Sequence, residues 1–163
     1  MAENNGLRQY LTFTLGKEHY ALDVSRVKEV LELTPITHVP KTPHFMKGVI
    51  NLRGSVVPVI DLRLKFDMPE TESTVDTCII VLEIHLGEDD VIVLGAIADS
   101  VQEVIELPPE NIEPAPKIGT RLENEFIQGM GKHNDTFLII LNIDRVFTTE
   151  DIAAISSEEV NKA

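Results

Sequence analysis

The segment 45–66, FMKGVINLRGSVVPVIDLRLKF, decides the fold because a second segment follows its pattern 81 residues later. That segment, 126–147, reads FIQGMGKHNDTFLIILNIDRVF and keeps the phenylalanine at each end and the glycine at its fourth position. In both segments a polar turn precedes an apolar run, VVPVIDL in the first and FLIILNI in the second. The pattern predicts two β-strands joined by a tight connection, present twice in the chain.

Two further blocks recur in the same order. Segment 20–33, YALDVSRVKEVLEL, aligns without a gap with 94–107, LGAIADSVQEVIEL, and five of the 14 positions are identical. Upstream, Leu15-Gly16 aligns with Leu86-Gly87. Chance similarity between valine-rich strands is the alternative, but three collinear blocks argue against it. A unit of about 75 residues is too long for a solenoid repeat, so we expect two similar half-domains, each of about five strands, packed on each other.

The composition predicts a mostly β protein. Short runs of Val, Ile and Leu carry the core, while Trp is absent and aromatic residues make up 5% of the chain. We expect a single domain over about 8–155, divided into a first subdomain at about 13–66, an acidic linker at about 67–76 and a second subdomain at about 77–147.

A short helix is predicted at about 149–157. Thr148 would cap it, and the acidic residues of its first turn suit the positive end of a helix. Ile152 and Ile155 would form its buried stripe.

The charge balance excludes several function classes. The chain has 14 Lys and Arg against 27 Asp and Glu, a net charge of −13, which argues against binding nucleic acid or an anionic membrane. No apolar run approaches the ~20 residues that span a bilayer, and the N-terminus lacks the features of a secretory signal. With a single cysteine, Cys78, no intrachain disulfide can form. These features predict a cytoplasmic protein.

Motifs for catalysis are missing from the sequence. It has no phosphate-binding loop of the G-x-x-x-x-G-K-[ST] type, no dinucleotide fingerprint and no G-x-S-x-G elbow. The five histidines do not occur at the spacing of metal ligands on a helix. We therefore expect no enzymatic activity, no cofactor and no metal site.

One turn carries a residue that the backbone does not require. Asn51-Leu52-Arg53-Gly54 interrupts two apolar strands, and Asn and Gly there allow a tight turn with positive φ. An arginine at the tip can stack or bind a carboxylate bidentately, although it can also be merely solvated. The second repeat reads Lys132-His133-Asn134-Asp135 at these positions, so the turn is kept and the arginine is not. Arg53 is therefore not demanded by the fold of a half-domain.

At these residues the chain resembles the CheW-type coupling proteins of bacterial and archaeal chemotaxis. The resemblance rests on FTLGKEHYALDVSRVKEVLEL at 13–33, on the segment 45–66 and on the spacing between them, and it covers roughly 8–155. It implies two packed, five-stranded SH3-like barrel subdomains. It also implies a non-catalytic scaffold that couples the cytoplasmic tip of chemoreceptors to the regulatory domain of the CheA histidine kinase, in receptor arrays at the membrane.

The same resemblance implies a set of coupling residues. Val27, Glu29 and Arg53 match positions tied to coupling in the family, and Val101 and Val104 are their relatives in the second repeat. The receptor hairpin would lie near the groove between the subdomains. We also expect Glu29 and Arg53 to form an ion pair beside that groove, because they belong to matching blocks of one half.

Alternatives remain open at this point. CheW-like domains also occur within the kinase and fused to receiver domains, and 163 residues leave room for neither. Paralogues serve pili or other non-flagellar pathways. A small-ligand or oligonucleotide-binding β-barrel is a further reading, against which the −13 charge counts. An enzyme built on a double barrel is the last alternative.

Overall fold

The described residues of the chain fold into two β-sheets with three short α-helices. The computed structural model describes residues 8–69, 72–86, 90–114, 126–147 and 149–155. Within these ranges the strands are β1 (Arg8–Leu15), β2 (Glu18–Asp23), β3 (Val27–Glu32), β4 (Met46–Leu52), β5 (Ser55–Asp61), β6 (Cys78–His85), β7 (Val91–Ala98), β8 (Ser100–Leu107), β9 (Ile112–Glu113), β10 (Ile127–His133) and β11 (Thr136–Leu141). Sheet A has the order β8-β1-β2-β11-β10-β9, and sheet B has the order β3-β6-β7-β5-β4. The prediction of a mostly β protein with two packed units of about five strands each is confirmed, since sheet B has five strands and sheet A has six.

The two sheets share one topology. We number the five strands of each repeat in chain order, so that β1 to β5 correspond to β6, β7, β8, β10 and β11. Across both sheets the strands then lie in the order third, first, second, fifth and fourth. β9 has no counterpart in this order and adds a sixth strand to sheet A. A parallel pair joins the second and fifth strands in both sheets. The β4–β5 and β10–β11 ladders carry a register shift at the same place, immediately before Gly48 and Gly129. Val30 and Val104 occupy equivalent positions on β3 and β8. The internal duplication is therefore confirmed in the register that the sequence predicts.

The sheets exchange strands between the repeats. Sheet A takes β1 and β2 from the first repeat and its other strands from the second, and sheet B does the reverse. The contiguous boundaries 13–66 and 77–147 therefore do not divide the two sheets. A single residue, Asp99, connects β7 to β8. A connection this short does not form one of the common hairpins, and β8 pairs with β1 of the other sheet. In the first repeat the 3₁₀ turn Val24–Arg26 joins β2 to β3 in the same way, and β3 pairs with β6.

The register also corrects one block of the predicted alignment. Leu11 pairs with Val104, and Ile80 pairs with the equivalent Val30, so β1 and β6 correspond at an offset of 80 − 11 = 69 residues. The counterpart of Leu15 is then Ile84, and both are fully buried, whereas Leu86 is exposed. The Leu-Gly dipeptide had suggested Leu86 because dipeptide identity does not record which face of a strand a residue occupies.

Both faces of the central strands are buried, which explains their continuous apolar runs. On one face, side chains of both sheets form a shared core that includes Phe13, Leu15, Leu82 and Ile84. On the other face, each sheet encloses an inner cluster. That of sheet A contains Tyr10, Ala21, Ile105, Leu107, Leu138 and Ile140, and that of sheet B contains Ile50, Val57, Val59, Ile79 and Val81.

The helices are short. They are α1 (Leu62–Lys65), α2 (Ile143–Val146) and α3 (Thr149–Ile155). α3 confirms the predicted terminal helix up to residue 155, and its Ile152 and Ile155 are buried in the shared core as expected. The predicted cap Thr148 and the end of the helix at 156–157 lie outside the described residues.

Two ion pairs fasten the points where the chain passes between the sheets. Asp99, at the β7–β8 connection, accepts hydrogen bonds from Arg63 Nε at 2.9 Å and from the backbone N–H of Gly16 at 2.6 Å. At the equivalent place the charges are reversed, because Asp144 of α2 takes the position of Arg63. Asp144 pairs with Arg26 at 2.7 Å and accepts the backbone N–H of His85 at 2.8 Å. Each junction thus has one carboxylate, one guanidinium and one backbone donor.

We expect Asp99→Asn to lower stability and to flatten its dependence on pH in acid. Burial raises the pKa of Asp99, but the hydrogen bonds from Arg63 and Gly16 outweigh it and hold that pKa below the ordinary value. The carboxylate therefore stabilises the fold above its unfolded pKa of about 4, and this contribution is lost as pH falls through the folded pKa. Loss of about 1 kcal/mol at pH 7 is expected for a partly exposed pair.

Urea denaturation between pH 7 and pH 3 measures this effect. Asp76→Asn is the matched control, because the side chain of Asp76 is exposed and its carboxylate makes no ion pair within the described residues. Equal losses for the two variants would show that the Asp99 junction contributes nothing specific.

Candidate partner-binding site

Arg53 occupies a strained position at the tip of the β4–β5 hairpin. Its φ is +51° and that of Gly54 is +91°, so both central residues of the two-residue turn lie in the left-handed region. Asn51, which the sequence analysis placed among the positive-φ residues, instead accepts the backbone N–H of Gly54 on its side-chain oxygen at 2.8 Å. In the other repeat the position of Arg53 is held by Asn134, also at φ +51°. Asparagine tolerates this conformation far better than arginine.

The predicted ion pair between Glu29 and Arg53 is confirmed. Arg53 Nη1 donates to Glu29 Oε1 at 3.4 Å, and Nη2 contacts Oε2 in a bidentate arrangement. The side chain of Arg53 is 69% exposed and that of Glu29 is 27% exposed. The pair is therefore a surface feature whose contribution to folding is small.

The ion pair spans the seam of sheet B. β3, which carries Glu29, and β4, which leads into the Arg53 turn, are the two edge strands of this sheet. They approach each other because the sheet curls around its inner cluster, against which Leu31 of β3 and Leu52 of β4 both pack. A register shift next to Glu29 accompanies this curvature.

We expect an NMR titration to find the carboxyl pKa of Glu29 depressed. The hydrogen bond from Arg53 lowers that pKa, and the partial burial of Glu29 opposes it without reversing the sign. In Arg53→Gln the pKa of Glu29 should return towards its ordinary value. Replacing Lys28, whose charge is a smaller influence, should change it less. An unchanged pKa in Arg53→Gln would contradict the pair in solution.

Val27 and Val101 lie just past the two places where the chain crosses between sheets. Val27 follows the 3₁₀ turn Val24–Arg26 that leads from β2 to β3, and Val101 lies two residues after Asp99. Both side chains are half-buried and pack against the shared core. These positions place them at the junction of the two sheets, where the family resemblance implies a groove.

Val104 lies apart from that core. Its side chain is 49% exposed on β8, as is its counterpart Val30 at 41% on β3. The structure therefore brings Glu29 and Arg53 into contact, places Val27 and Val101 on one shared core, and leaves Val104 as an exposed apolar residue on an outer strand.

Sequence reasoning missed the two junction ion pairs. Arg63 and Asp99 also line a cavity of about 480 Å³, whose other lining residues are Lys47, Asp61, Glu72, Ser73, Thr77 and Ile97. Alignment of the repeats offered a signal, since Arg63 corresponds to the oppositely charged Asp144. Because the charges are reversed between the repeats, the identity of residues did not reveal them.

The described part of the chain meets neither the requirements of a metal site nor those of a membrane-spanning helix. Its His, Cys, Asp and Glu side chains form no group of three or more that could hold a metal ion. Among the described helices, none has the length and apolar content needed to cross a bilayer.

Comparison with known proteins identifies the family. A family model described as a CheW-like domain matches residues 9–151. The chemotaxis protein CheW of Klebsiella aerogenes is 36% identical over 150 residues, which cover 92% of this chain and 87% of that protein. The chemotaxis protein CheW of Helicobacter pylori is 33% identical and covers 88% of this chain and 84% of its own.

A solved structure agrees with these relatives. The crystal structure of the scaffolding protein TtCheW from Thermoanaerobacter tengcongensis matches with a TM-score of 0.77 at 37% identity, covering 88% of this chain and 90% of that one. The predicted resemblance is thereby confirmed, as is the prediction of a scaffold rather than an enzyme. The chain belongs to the CheW-like family of non-catalytic chemotaxis coupling scaffolds.

Proposed function

We propose that this chain couples the cytoplasmic hairpin tip of a chemoreceptor to the regulatory domain of a CheA-type histidine kinase. It acts in the cytoplasm, at receptor arrays that it joins through these partners. The family supports a coupling scaffold, and the residues at the seam and at the junction supply candidate contacts for two partners.

The observation that carries this proposal is Arg53. The backbone at φ +51° favours asparagine or glycine, and the equivalent turn uses Asn134. The guanidinium is exposed and held in place by Glu29. Arg53 is thus unfavourable for its turn, exposed to solvent and positioned by the carboxylate of Glu29. Such a residue is better explained by a role in binding than by a role in folding.

The receptor side would be a helix-in-groove contact. A helical hairpin presents apolar side chains at regular spacing, and such helices bind grooves lined with apolar anchors. Val27 and Val101 at the sheet junction and Val104 on β8 are the candidates. Truncating one anchor would lower affinity about tenfold.

The test is a binding assay with purified receptor hairpin and purified kinase regulatory domain, each alone and both together. The proposal requires that this chain bind each partner and that the two bind at once. Val104→Ser should weaken binding of the receptor hairpin with little effect on folding. Val75→Ser is the control, because this valine of the connecting segment is 99% exposed, and it should leave binding of the hairpin unchanged. If the chain binds neither partner, this function is wrong.

A further inference from the structure

A small polar cavity opens at one end of sheet A. Its volume is about 160 Å³, and its lining residues are Thr12, His19, Gln102, Glu103, His133, Asn134, Thr136 and Leu138. The residues come from β1, β2, β8, β10 and β11, so nearly the whole sheet contributes. Leu138 of the inner cluster forms its apolar floor.

The equivalent end of sheet B is filled with apolar side chains. The register places Val81 at the position of Thr12, Val93 at that of His19, Leu52 at that of His133 and Val57 at that of Leu138. All four of these sheet B residues pack in its inner cluster. The same fold therefore does not require polar residues here. Three of the four positions have become polar in sheet A, and a cavity accompanies them.

A carboxylate is shared by both ends, but its partner is not. Glu103 corresponds to Glu29, whose carboxylate pairs with Arg53. In sheet A the arginine is replaced by Asn134, which bonds to the neighbouring His133 at 3.2 Å. Glu103 is held through its backbone, which exchanges hydrogen bonds with Thr12 Oγ1 at 2.9 and 3.1 Å. Within the described residues, its carboxylate makes no ion pair or hydrogen bond.

We propose that this cavity receives an arginine side chain of a partner protein, with Glu103 as its ion-pair acceptor. The guanidinium would take the place over Glu103 that Arg53 takes over Glu29. The second repeat would thus obtain from a partner what the first repeat supplies from its own chain. This site is distinct from the Glu29–Arg53 seam and from the sheet junction.

The chemistry of the lining favours a guanidinium. Glu103 offers two oxygens, and Asn134 and Thr136 offer further acceptors in the lining. Gln102 Oε1 lies 3.3 Å from His19 Nδ1 and keeps a second lone pair. Such a set of acceptors suits the planar fork of five donors better than a compact ammonium. A cavity of ~150 Å³ accommodates a group the size of benzene, so the end of one side chain fits while a drug-sized ligand does not. The net charge of −13 also favours a cationic group.

The first test uses NMR with a probe that carries only the guanidinium charge, N-acetyl-L-arginine N′-methylamide. We expect saturable shifts of the Gln102, Glu103 and Asn134 amides, with Kd in about the millimolar range for one side chain. The neutral analogue built on citrulline should produce none. Glu103→Gln should weaken binding about tenfold or more, whereas Glu106→Gln, at an exposed carboxylate on the same strand, should not.

A second variant places a guanidinium on the chain itself. Asn134 has the φ of +51° that Arg53 adopts, so the turn can accept Asn134→Arg at the cost of the backbone strain described for Arg53, and the guanidinium should fill the cavity. The variant should remain folded, with a slightly lower thermal midpoint, and should no longer bind the probe. Equal binding of the citrulline analogue or of a lysine analogue, or unchanged binding by Glu103→Gln, overturns the proposal.

Discussion

Arg53→Asn is expected to abolish most receptor-dependent kinase activation without unfolding the protein. Asparagine suits φ +51° better than arginine, so the thermal midpoint should stay the same or rise. Loss of a positioned guanidinium from a partner interface should reduce affinity by about ten- to a hundredfold. The measurement is kinase activity in a reconstituted mixture of receptor, kinase and variant, with circular dichroism to verify folding.

A charge-matched control separates this effect from general electrostatics. Lys132→Ala removes one positive charge from the corresponding hairpin of sheet A and should leave activation near the wild-type level. Glu29→Gln should weaken activation in the same direction as Arg53→Asn, because it releases the guanidinium. If folded Arg53→Asn activates the kinase fully, Arg53 is only a solvated turn residue with no part in coupling.

Gly48→Ala is expected to produce the largest loss of stability. Gly48 has φ +146°, and a Cβ there would lie 2.1 Å from the backbone oxygen of Thr37. That oxygen cannot retreat easily, because Thr37 and Val49 exchange two backbone hydrogen bonds of 2.8 and 2.9 Å. Backbone strain together with a broken bridge should lower the free energy of unfolding by about 3 kcal/mol or more.

Two other glycines provide graded controls in the same urea denaturation experiment. At Gly129, the counterpart of Gly48, a Cβ would lie 2.9 Å from the backbone oxygen of Glu113, so the loss should be intermediate. At Gly54 a Cβ would meet nothing within 4 Å, and only its positive φ should cost about 1 kcal/mol. A different ranking of the three alanine variants would show that the close approach of the Thr37 and Glu113 backbones is not the reason for glycine at positions 48 and 129.

Several features followed from the sequence because they depend on local pattern. The apolar runs predicted the strands, and the aligned glycines Gly48 and Gly129 predicted the register in which the two repeats correspond. The ion pair between Glu29 and Arg53 could be predicted because both residues lie in blocks of one repeat that end in the same sheet. Ile152 and Ile155 followed from helical spacing. The lack of catalytic motifs correctly favoured a scaffold.

The pairing of strands between repeats could not be predicted in the same way. β3 and β8 have nearly the same sequence pattern, so the pattern cannot tell β1 which of them to pair with. The chain passes from one sheet to the other at two connections, the turn Val24–Arg26 between β2 and β3 and the single residue Asp99 between β7 and β8, and these are visible only once the strand ends are known. The junction pairs Arg63–Asp99 and Arg26–Asp144 form only after this exchange.

By itself, the sequence determined a duplicated, strand-rich domain with a turn arginine that its fold does not need. The tertiary structure alone decided that each sheet is shared between the repeats and that one sheet end is packed while the other holds a polar cavity. Alternation along a strand specifies which face a side chain occupies. It does not specify what lies across that face, and the contacts of Arg53, Glu103 and the junction residues depend on that neighbour.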